Sequence, residues 1–389
     1  MRIALSAMLM VPALAQVRDL PSPASEASAE PNLVVLPGDR VLLSWIAALD
    51  GGHALRFAVL DDGKWSKPRQ VASGGNWFVN WADFPSVAAL PDGRLAAHWL
   101  VKSADGTYDY DVHIAHSSDG GGTWSKSLIP HRDGAKAEHG FVSLLANEDS
   151  VLSAFWLDGR DMVAEQGHGH GRGSMTLRYV EILKGGALRN EALLDARVCE
   201  CCQTSAAMSA AGPLVVFRDR SQDEVRDISI VRRVDGVWTA PRPVFRDGWK
   251  IAGCPVNGPS VAASGRHVVV GWFTGADNTG RVKFARSTDA GASFGEPSLI
   301  DRGNPVGRVE VVVAEDGAAW VCWMTRTDDG AAVRARRVAA DNTLSEAVTI
   351  AETEAARRNG FPQVVRCGGR LVFAWTNQGV QVASMPLPK

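Results

Sequence analysis

The chain has 389 residues and a formal net charge of −2, and its basic residues are scattered along the sequence. A charge this close to neutral argues against a surface that follows nucleic-acid phosphates or anchors to an anionic membrane. The chain also contains 39 glycines, 19 prolines and 13 tryptophans, but no long stretch with a helical hydrophobic period. This composition favours many short strands joined by turns.

The N-terminus has the pattern of a secretory signal peptide. Residues 1–15 contain Arg2, an apolar run over residues 3–14 and the small-x-small ending Ala13-Leu14-Ala15. A buried first strand is the alternative, but the run lacks the period-2 alternation of a strand. No later apolar run is long enough to span a bilayer. We therefore expect a periplasmic or secreted protein that begins after residue 15.

An internal repeat organises the rest of the chain. Each copy has a short apolar strand, a turn and a second strand that ends in an aromatic residue. The first six copies continue into a third strand and a further extended segment, and four strands form one propeller blade. The seven copies span residues 32–45, 85–99, 141–156, 203–217, 259–272, 309–323 and 362–375.

These repeats predict an all-β fold, a single β-propeller over residues 32–389 with four-stranded blades. The repeat count favours seven blades, with six as the alternative. The seventh copy ends before its last strand, which the N-terminal segment 16–31 could supply around residues 17–20. A pair of β-sandwiches would also use many strands, but even spacing without a linker favours one closed ring.

Two segments carry a specific turn motif, SSDGGGTW over residues 117–124 and STDAGASF over residues 287–294. In such a turn the Asp carboxylate accepts backbone N–H bonds, Gly supplies a positive φ and the aromatic ring covers the blade. With these Asp boxes the sequence resembles the sialidase-like (BNR or Asp-box repeat) superfamily of β-propellers. The resemblance implies that Asp119 and Asp289 are structural, and that the active face of the propeller lies opposite the boxes.

The resemblance further implies an exported protein that binds carbohydrate or another small anionic ligand and, if it is an enzyme, a glycoside hydrolase of the exo-sialidase type. Family enzymes hold a sialic acid carboxylate with three arginines, the first in a Phe/Tyr-Arg-Ile-Pro motif, and use a Tyr–Glu pair and an Asp acid/base. The nearest counterpart of that motif, at residues 83–86, has no arginine, and the only tyrosines are Tyr108, Tyr110 and Tyr179. A non-catalytic or metal-binding propeller is the alternative.

Polar loops between the predicted strands contain the candidate site residues. Paired carboxylates could act as general acid and base, and arginines could bind an anion, although ion-pair ladders that fix loop geometry use the same residues. Two tryptophans could stack on a sugar ring or cover the channel. The candidate catalytic residues are Asp158, Arg160, Arg218, Asp219, Arg220, Arg226 and Asp227. The candidate substrate-binding residues are Trp77, Trp81, Asp83 and His139.

A cysteine-rich loop is the second candidate site. Cys199, Cys201 and Cys202 lie in one loop, and Cys254 lies in the corresponding loop one blade later. With His168 and His170, which lie one blade earlier, they could bind copper or zinc. In an oxidising compartment, a disulfide from Cys254 to Cys201 or Cys202 is the alternative and the favoured interpretation.

Overall fold

The computed structural model describes residues 16–147, 149–162 and 173–387. They form seven antiparallel sheets in a ring, which confirms the seven-bladed β-propeller and excludes six blades. Among the described residues, the only helical elements are two short 3-10 turns, η1 (Ala276–Asn278) and η2 (Arg357–Asn359). No helix in this part of the chain has the length and apolar character needed to cross a membrane.

The first three blades follow a short N-terminal strand, β1 (Arg18–Leu20). The first blade contains β2 (Ser28–Leu36), β3 (Arg40–Leu49), β4 (Gly52–Asp61), β5 (Lys64–Trp65) and β6 (Arg69–Gly74). The second contains β7 (Ser86–Ala89), β8 (Leu95–Lys102) and β9 (Tyr110–Ser117), and its outer edge is reduced to a bridge between Ile114 and Leu128. The third contains β10 (His139–Ala146), β11 (Leu152–Asp158), β12 (Thr176–Ile182) and β13 (Leu188–Asp195).

The other four blades complete the ring. The fourth contains β14 (Ser205–Ser209), β15 (Gly212–Arg218), β16 (Ile228–Val234), β17 (Val237–Trp238) and β18 (Arg242–Pro243). The fifth contains β19 (Ser260–Ser264), β20 (His267–Thr274), β21 (Arg281–Ser287) and β22 (Ser298–Asp301). The sixth contains β23 (Pro305–Val313), β24 (Ala319–Thr327), β25 (Gly330–Val338) and β26 (Val348–Thr353). The seventh contains β27 (Gln363–Cys367), β28 (Arg370–Thr376) and β29 (Val380–Pro386).

The two ends of the chain share the seventh blade. β1 pairs antiparallel with β29, with Leu20 opposite Val382, and so provides the outermost strand. Around the axis the innermost strands contact one another in sequence order, and β27 contacts β2. Because every blade is covered by a neighbour on each side, the ring has no exposed face of a sheet and few free edges.

The second strand of each blade forms the core. Strands β3, β11 and β24 are apolar along almost their whole length, because both of their faces pack against neighbouring blades. The aromatic residue near the end of each repeat is buried between blades. These residues are Trp45, Trp99, Trp156, Phe217, Trp272, Trp323 and Trp375.

The Asp boxes stabilise turns. Asp119 accepts hydrogen bonds from the Ser117 hydroxyl (2.7 Å), the Thr123 backbone N–H (2.9 Å) and the Thr123 hydroxyl (2.8 Å). Asp289 accepts the same three kinds of bond from Ser287 and Ser293. Both boxes follow the third strand of a blade and therefore lie on the face opposite the beginnings of the innermost strands.

We call the face at which the innermost strands begin the mouth. Below it, the first strands surround an axial cavity of about 380 Å³. The segment before β7 crosses this opening: Trp81 stacks on Phe361 at 6.0 Å between ring centroids, and the carbonyl of Ala82 accepts a hydrogen bond from Gln203. The structure describes most of the candidate residues, and the loops that contain them lie at the mouth.

Candidate functional site

Three side chains from different parts of the second and third blades meet at the mouth. We call Asp83, Tyr110 and Glu138 the carboxyl–phenol triad. The Tyr110 hydroxyl lies 2.8 Å from Asp83 Oδ2 and 3.0 Å from Glu138 Oε1. Asp83 Oδ1 also accepts a hydrogen bond from the Phe141 backbone N–H at 2.7 Å. Asp83 and Tyr110 are buried, whereas Glu138 is partly exposed.

The triad retains an acidic proton near neutral pH. Burial, followed by the negative charge of Asp83, raises the pKa of Glu138 to about 8, and burial raises the pKa of Asp83 to about 7. Burial and the two carboxylates hold the pKa of Tyr110 well above its ordinary value, so the phenol keeps its one proton. A phenol can donate to only one of two acceptors, and the second short contact therefore requires a protonated carboxyl. The Tyr110 hydroxyl therefore hydrogen-bonds with both carboxyl groups, and Glu138 has the higher pKa of the two.

Three thiols meet in the loop before β14, and a fourth approaches from the loop before β19. We call Cys199, Cys201, Cys202 and Cys254 the thiol cluster. Cys199 Sγ lies 3.8 Å from Cys201 Sγ and 3.5 Å from Cys202 Sγ. The Cys254 thiol is exposed, and its residue lies three positions before Asn257, whose backbone contacts Cys202. All four are free thiols in the structure.

Hydrogen bonds to sulfur fix this cluster. Arg226 Nη1 donates to Cys199 Sγ at 3.2 Å, and the Asn257 backbone N–H donates to Cys202 Sγ at 3.4 Å. Contacts from Cys201 and Cys202 hold the pKa of the Cys199 thiol well below its ordinary value. The loop therefore presents a sulfur with thiolate character beside a guanidinium group.

Arg220 and Arg226 form an ion-pair network with the two glutamates beside the thiol cluster. Arg226 lies 2.9 Å from Glu200 and 2.8 Å from Glu224, and Arg220 lies 2.7 Å from Glu224 and also pairs with Glu200. Arg226 is almost completely buried. Both guanidinium groups are therefore paired with acids of the protein.

The other predicted residues of the fourth blade hydrogen-bond mainly to backbone groups. Arg218 is buried, and its guanidinium donates to the carbonyls of Asn257, Arg226 and Phe273. Asp219 accepts from the Arg220 backbone N–H at 2.7 Å and from the Ser229 hydroxyl at 2.8 Å. Asp227 accepts from the backbone N–H groups of Gly248 and Trp249, each at 3.0 Å.

Asp158, Arg160 and His139 belong to a separate buried group between the second and third blades. Arg160 donates twice to Asp158, each time at 2.7 Å, and Asp158 is fully buried. The His139 ring stacks on His131 at 3.7 Å between centroids. Burial opposes a charge on His139, but Asp111 and other nearby carboxylates raise its pKa, whereas burial and His139 lower the pKa of His131 to about 4.

The two candidate tryptophans make different contacts in the structure. Trp77 is buried and stacks on Trp99 at 5.7 Å, whereas Trp81 lies at the axis with the Arg308 guanidinium 4.8 Å from its ring. Trp81 therefore packs against an aromatic ring and a guanidinium group, and the sugar-stacking and channel-covering roles stay predictions. His168 and His170 lie outside the described residues.

Tyr110, Glu138 and Glu200 were not among the residues predicted for the site. Tyr110 is one of only three tyrosines and is the first residue of a third strand, where a blade reaches the mouth. Glu138 directly precedes an innermost strand. Position relative to the repeat could have identified both, since residues at these strand ends lie near one another in a propeller.

Comparison with known proteins supports the fold. No protein-family model matches the sequence, and no curated protein matches it. Among solved structures, the chain is similar to the Hadza microbial sialidase Hz136, with 14% identity over 86% of this chain and 73% of that one and a TM-score of 0.52. It is also similar to polysaccharide lyase Uly1, with 10% identity, coverage of 94% and 91% and a TM-score of 0.55. An α-L-arabinanase of Penicillium chrysogenum is 13% identical, with coverage of 95% and 96% and a TM-score of 0.50.

At these identities the likeness concerns the fold, and it confirms the resemblance to sialidase-like propellers at that level. The three neighbours are a sialidase, an arabinanase and a polysaccharide lyase, all of them proteins that act on carbohydrates.

Proposed function

We propose that this protein is an exported, carbohydrate-acting β-propeller that cleaves a glycosidic bond at the mouth, with Glu138 as the proton donor. The observation that carries the proposal is the hydrogen-bonded triad, in which the Tyr110 hydroxyl lies 2.8 Å from Asp83 and 3.0 Å from Glu138, and Glu138 is the most exposed member. A general acid needs a pKa near the working pH and access to the leaving oxygen. Glu138 meets both requirements.

Glycoside hydrolysis also needs a second carboxylate that stabilises positive charge on the sugar ring or activates water. We assign this role to Glu200, which lies in the mouth loop before β14 and whose negative charge contributes to the raised pKa of Glu138. Arg220 and Arg226 both form ion pairs with Glu200. Two carboxyl groups in contrasting environments, one desolvated and one paired with arginines, are the usual arrangement for acid and base roles.

The substrate and the export step are part of the same proposal. Support for a carbohydrate comes from the neighbours of the same fold, whose names describe a sialidase, a polysaccharide lyase and an arabinanase. Support for export comes from the signal-peptide pattern of residues 1–15. N-terminal sequencing of the protein from the extracytoplasmic fraction should give a chain that begins at Gln16.

The test compares Glu138→Gln with wild type on aryl glycosides, a sialoside among them. On substrates with a poor leaving group, the variant should lose 10²- to 10⁴-fold in kcat, as expected for a missing general acid. On a dinitrophenyl glycoside, whose leaving group needs no proton, most of the rate should remain. Glu310→Gln is the matched control, because Glu310 is a channel-lining acid whose pKa burial also raises to about 8.

Asp219→Asn belongs in the same series, because the sequence predicts Asp219 as the acid. Loss of turnover in Asp219→Asn with unchanged turnover in Glu138→Gln would overturn the assignment of Glu138. If wild type neither turned over nor bound any glycoside in the panel at millimolar concentration, the carbohydrate proposal itself would be wrong.

A further inference from the structure

We propose that the thiol cluster is a binding site for a thiophilic d10 metal ion, zinc or monovalent copper, with Cys199, Cys201 and Cys202 as ligands and Cys254 as the fourth. This inference does not depend on the carbohydrate proposal. It rests on the spacing of the sulfur atoms, on the groups that hydrogen-bond to them and on the position of Cys254.

The spacing of the thiols matches a shared ion. Two thiolates bound to one ion at about 2.3 Å each, at a tetrahedral angle, lie about 3.8 Å apart. The measured separations are 3.8 Å for Cys199–Cys201 and 3.5 Å for Cys199–Cys202, and the sulfur atoms of Cys199, Cys201 and Cys202 all lie within 4.8 Å of one another. The three sulfur atoms therefore converge on one point with little movement of the chain.

Residues around the sulfur atoms are already arranged as the outer shell of a metal–thiolate site. Metal-bound thiolates carry negative charge and are stabilised by donors that orient them. Arg226 donates to Cys199, and the Asn257 backbone N–H donates to Cys202. The backbone N–H of Cys199 itself donates to the Arg218 carbonyl at 3.0 Å, which fixes the start of the loop.

The available donors select the kind of metal. Sulfur is a soft ligand that favours zinc and monovalent copper, whereas calcium and magnesium require oxygen ligands. The nearest carboxylate in the loop, Glu200, is paired with Arg220 and Arg226. This leaves the sulfur atoms as the free donors. Each thiol that binds as a thiolate releases its proton to solvent.

Cys254 gives the site an entrance. It is exposed, comes from the next blade and lies three residues before Asn257, whose backbone N–H donates to Cys202; Cys201 is itself only partly buried. An ion can therefore enter from solvent on this side and be enclosed when Cys254 binds. The same proximity would allow a disulfide between Cys254 and Cys201, so oxidation and metal binding compete for the same sulfur atoms.

The experiment loads reduced, full-length protein anaerobically with Zn²⁺ or Cu⁺ in separate arms and measures bound metal by elemental analysis after desalting. We expect one ion per chain in at least one arm, and competition with chelators of known affinity then decides between the two metals. Co²⁺ loading should give the intense visible absorption of a tetrahedral thiolate complex. Cys202→Ser should weaken binding at least 100-fold, whereas Cys367→Ser, a buried thiol in another blade, should bind like wild type.

A second measurement needs no variant and so covers the case in which a cysteine variant fails to fold. Alkylation of wild type with and without metal, mapped by mass spectrometry, should show protection of Cys199, Cys201, Cys202 and Cys254 by the ion. Reduced protein that binds neither ion, or equal alkylation of these four residues in both samples, would overturn the proposal. A Cys201–Cys254 disulfide that reforms in the presence of excess metal would overturn it as well.

Discussion

Arg226 donates a hydrogen bond to the sulfur of Cys199 over 3.2 Å, and the same buried guanidinium pairs with Glu200 and Glu224. Arg226 lies in the loop between β15 and β16, and its side chain thus joins the thiol cluster to the acids beside it. Its position explains why the loop before β14 keeps its geometry although it carries three thiols in four residues.

Replacing Arg226 should destabilise the protein. Arg226→Gln leaves the Cys199 sulfur without its guanidinium donor and removes one arginine partner each from Glu200 and Glu224, which still pair with Arg220. A lost partner of this kind costs about 1–3 kcal/mol in the free energy of unfolding. Urea denaturation of purified protein measures the change. Arg197→Gln is the matched control, because Arg197 is more exposed and lies 3.6 Å from the same Glu224, so its loss should cost less than about 0.5 kcal/mol. Equal losses in the two variants would contradict the structural role of Arg226.

Stability should fall as pH rises from about 4.5 to about 8, because buried carboxyl groups keep their protons longer in the folded protein. The pKa of Glu138 is raised from 4.5 to about 8 in the folded protein, so the unfolded chain loses its proton first as pH rises. The stabilising difference is fully present below about pH 4.5 and disappears progressively up to about pH 8, with a slope of at most ~1.4 kcal/mol per pH unit per group. Thermal unfolding between pH 4 and 9 measures this slope.

Glu138→Gln should make this pH dependence shallower, and so should Glu310→Gln, since burial also raises the pKa of Glu310 to about 8. Only Glu138→Gln should also change turnover. A variant whose unfolding temperature followed the wild-type curve throughout this pH range would show that the replaced carboxyl keeps an ordinary pKa.

The first Asp box should be sensitive to a single methyl group. Gly120 and Gly121 both have a positive φ, but a Cβ at Gly121 would overlap the ring of Phe57, whereas a Cβ at Gly120 would meet no atom within 4 Å. Gly120→Ala should therefore cost about 1 kcal/mol from backbone strain alone, and Gly121→Ala about 1–3 kcal/mol more from overpacking. The two variants can be compared by urea denaturation, and equal costs would mean that the turn moves away from Phe57.

The blade pattern could be predicted from the sequence because it depends on neighbouring residues. Each repeat has an innermost strand, a turn and a buried second strand with an aromatic end, and this order is visible in residues 85–99 as it is in β7 and β8. The Asp boxes are equally local, since Asp119 bonds to residues only two and four positions away.

The roles of individual charged residues could not be predicted in this way. Arg218, Asp219 and Asp227 have residue types suited to catalysis and lie in a mouth loop, but their side chains bond to backbone groups and to Ser229. Whether a charged side chain points to the backbone or to solvent depends on which unsatisfied carbonyl and N–H groups the folded loops bring near it.

By itself, the sequence favoured seven blades over six and determined their order along the chain, because strand and turn preferences repeat with a regular period. Only the tertiary structure placed Tyr110 between Asp83 and Glu138, and the loop of Cys254 and Asn257 beside Cys202, more than fifty residues earlier. Closure of the ring decides which loops meet at the mouth, and side-chain packing there decides which acid keeps its proton. Neither is encoded in the spacing of residues along the chain.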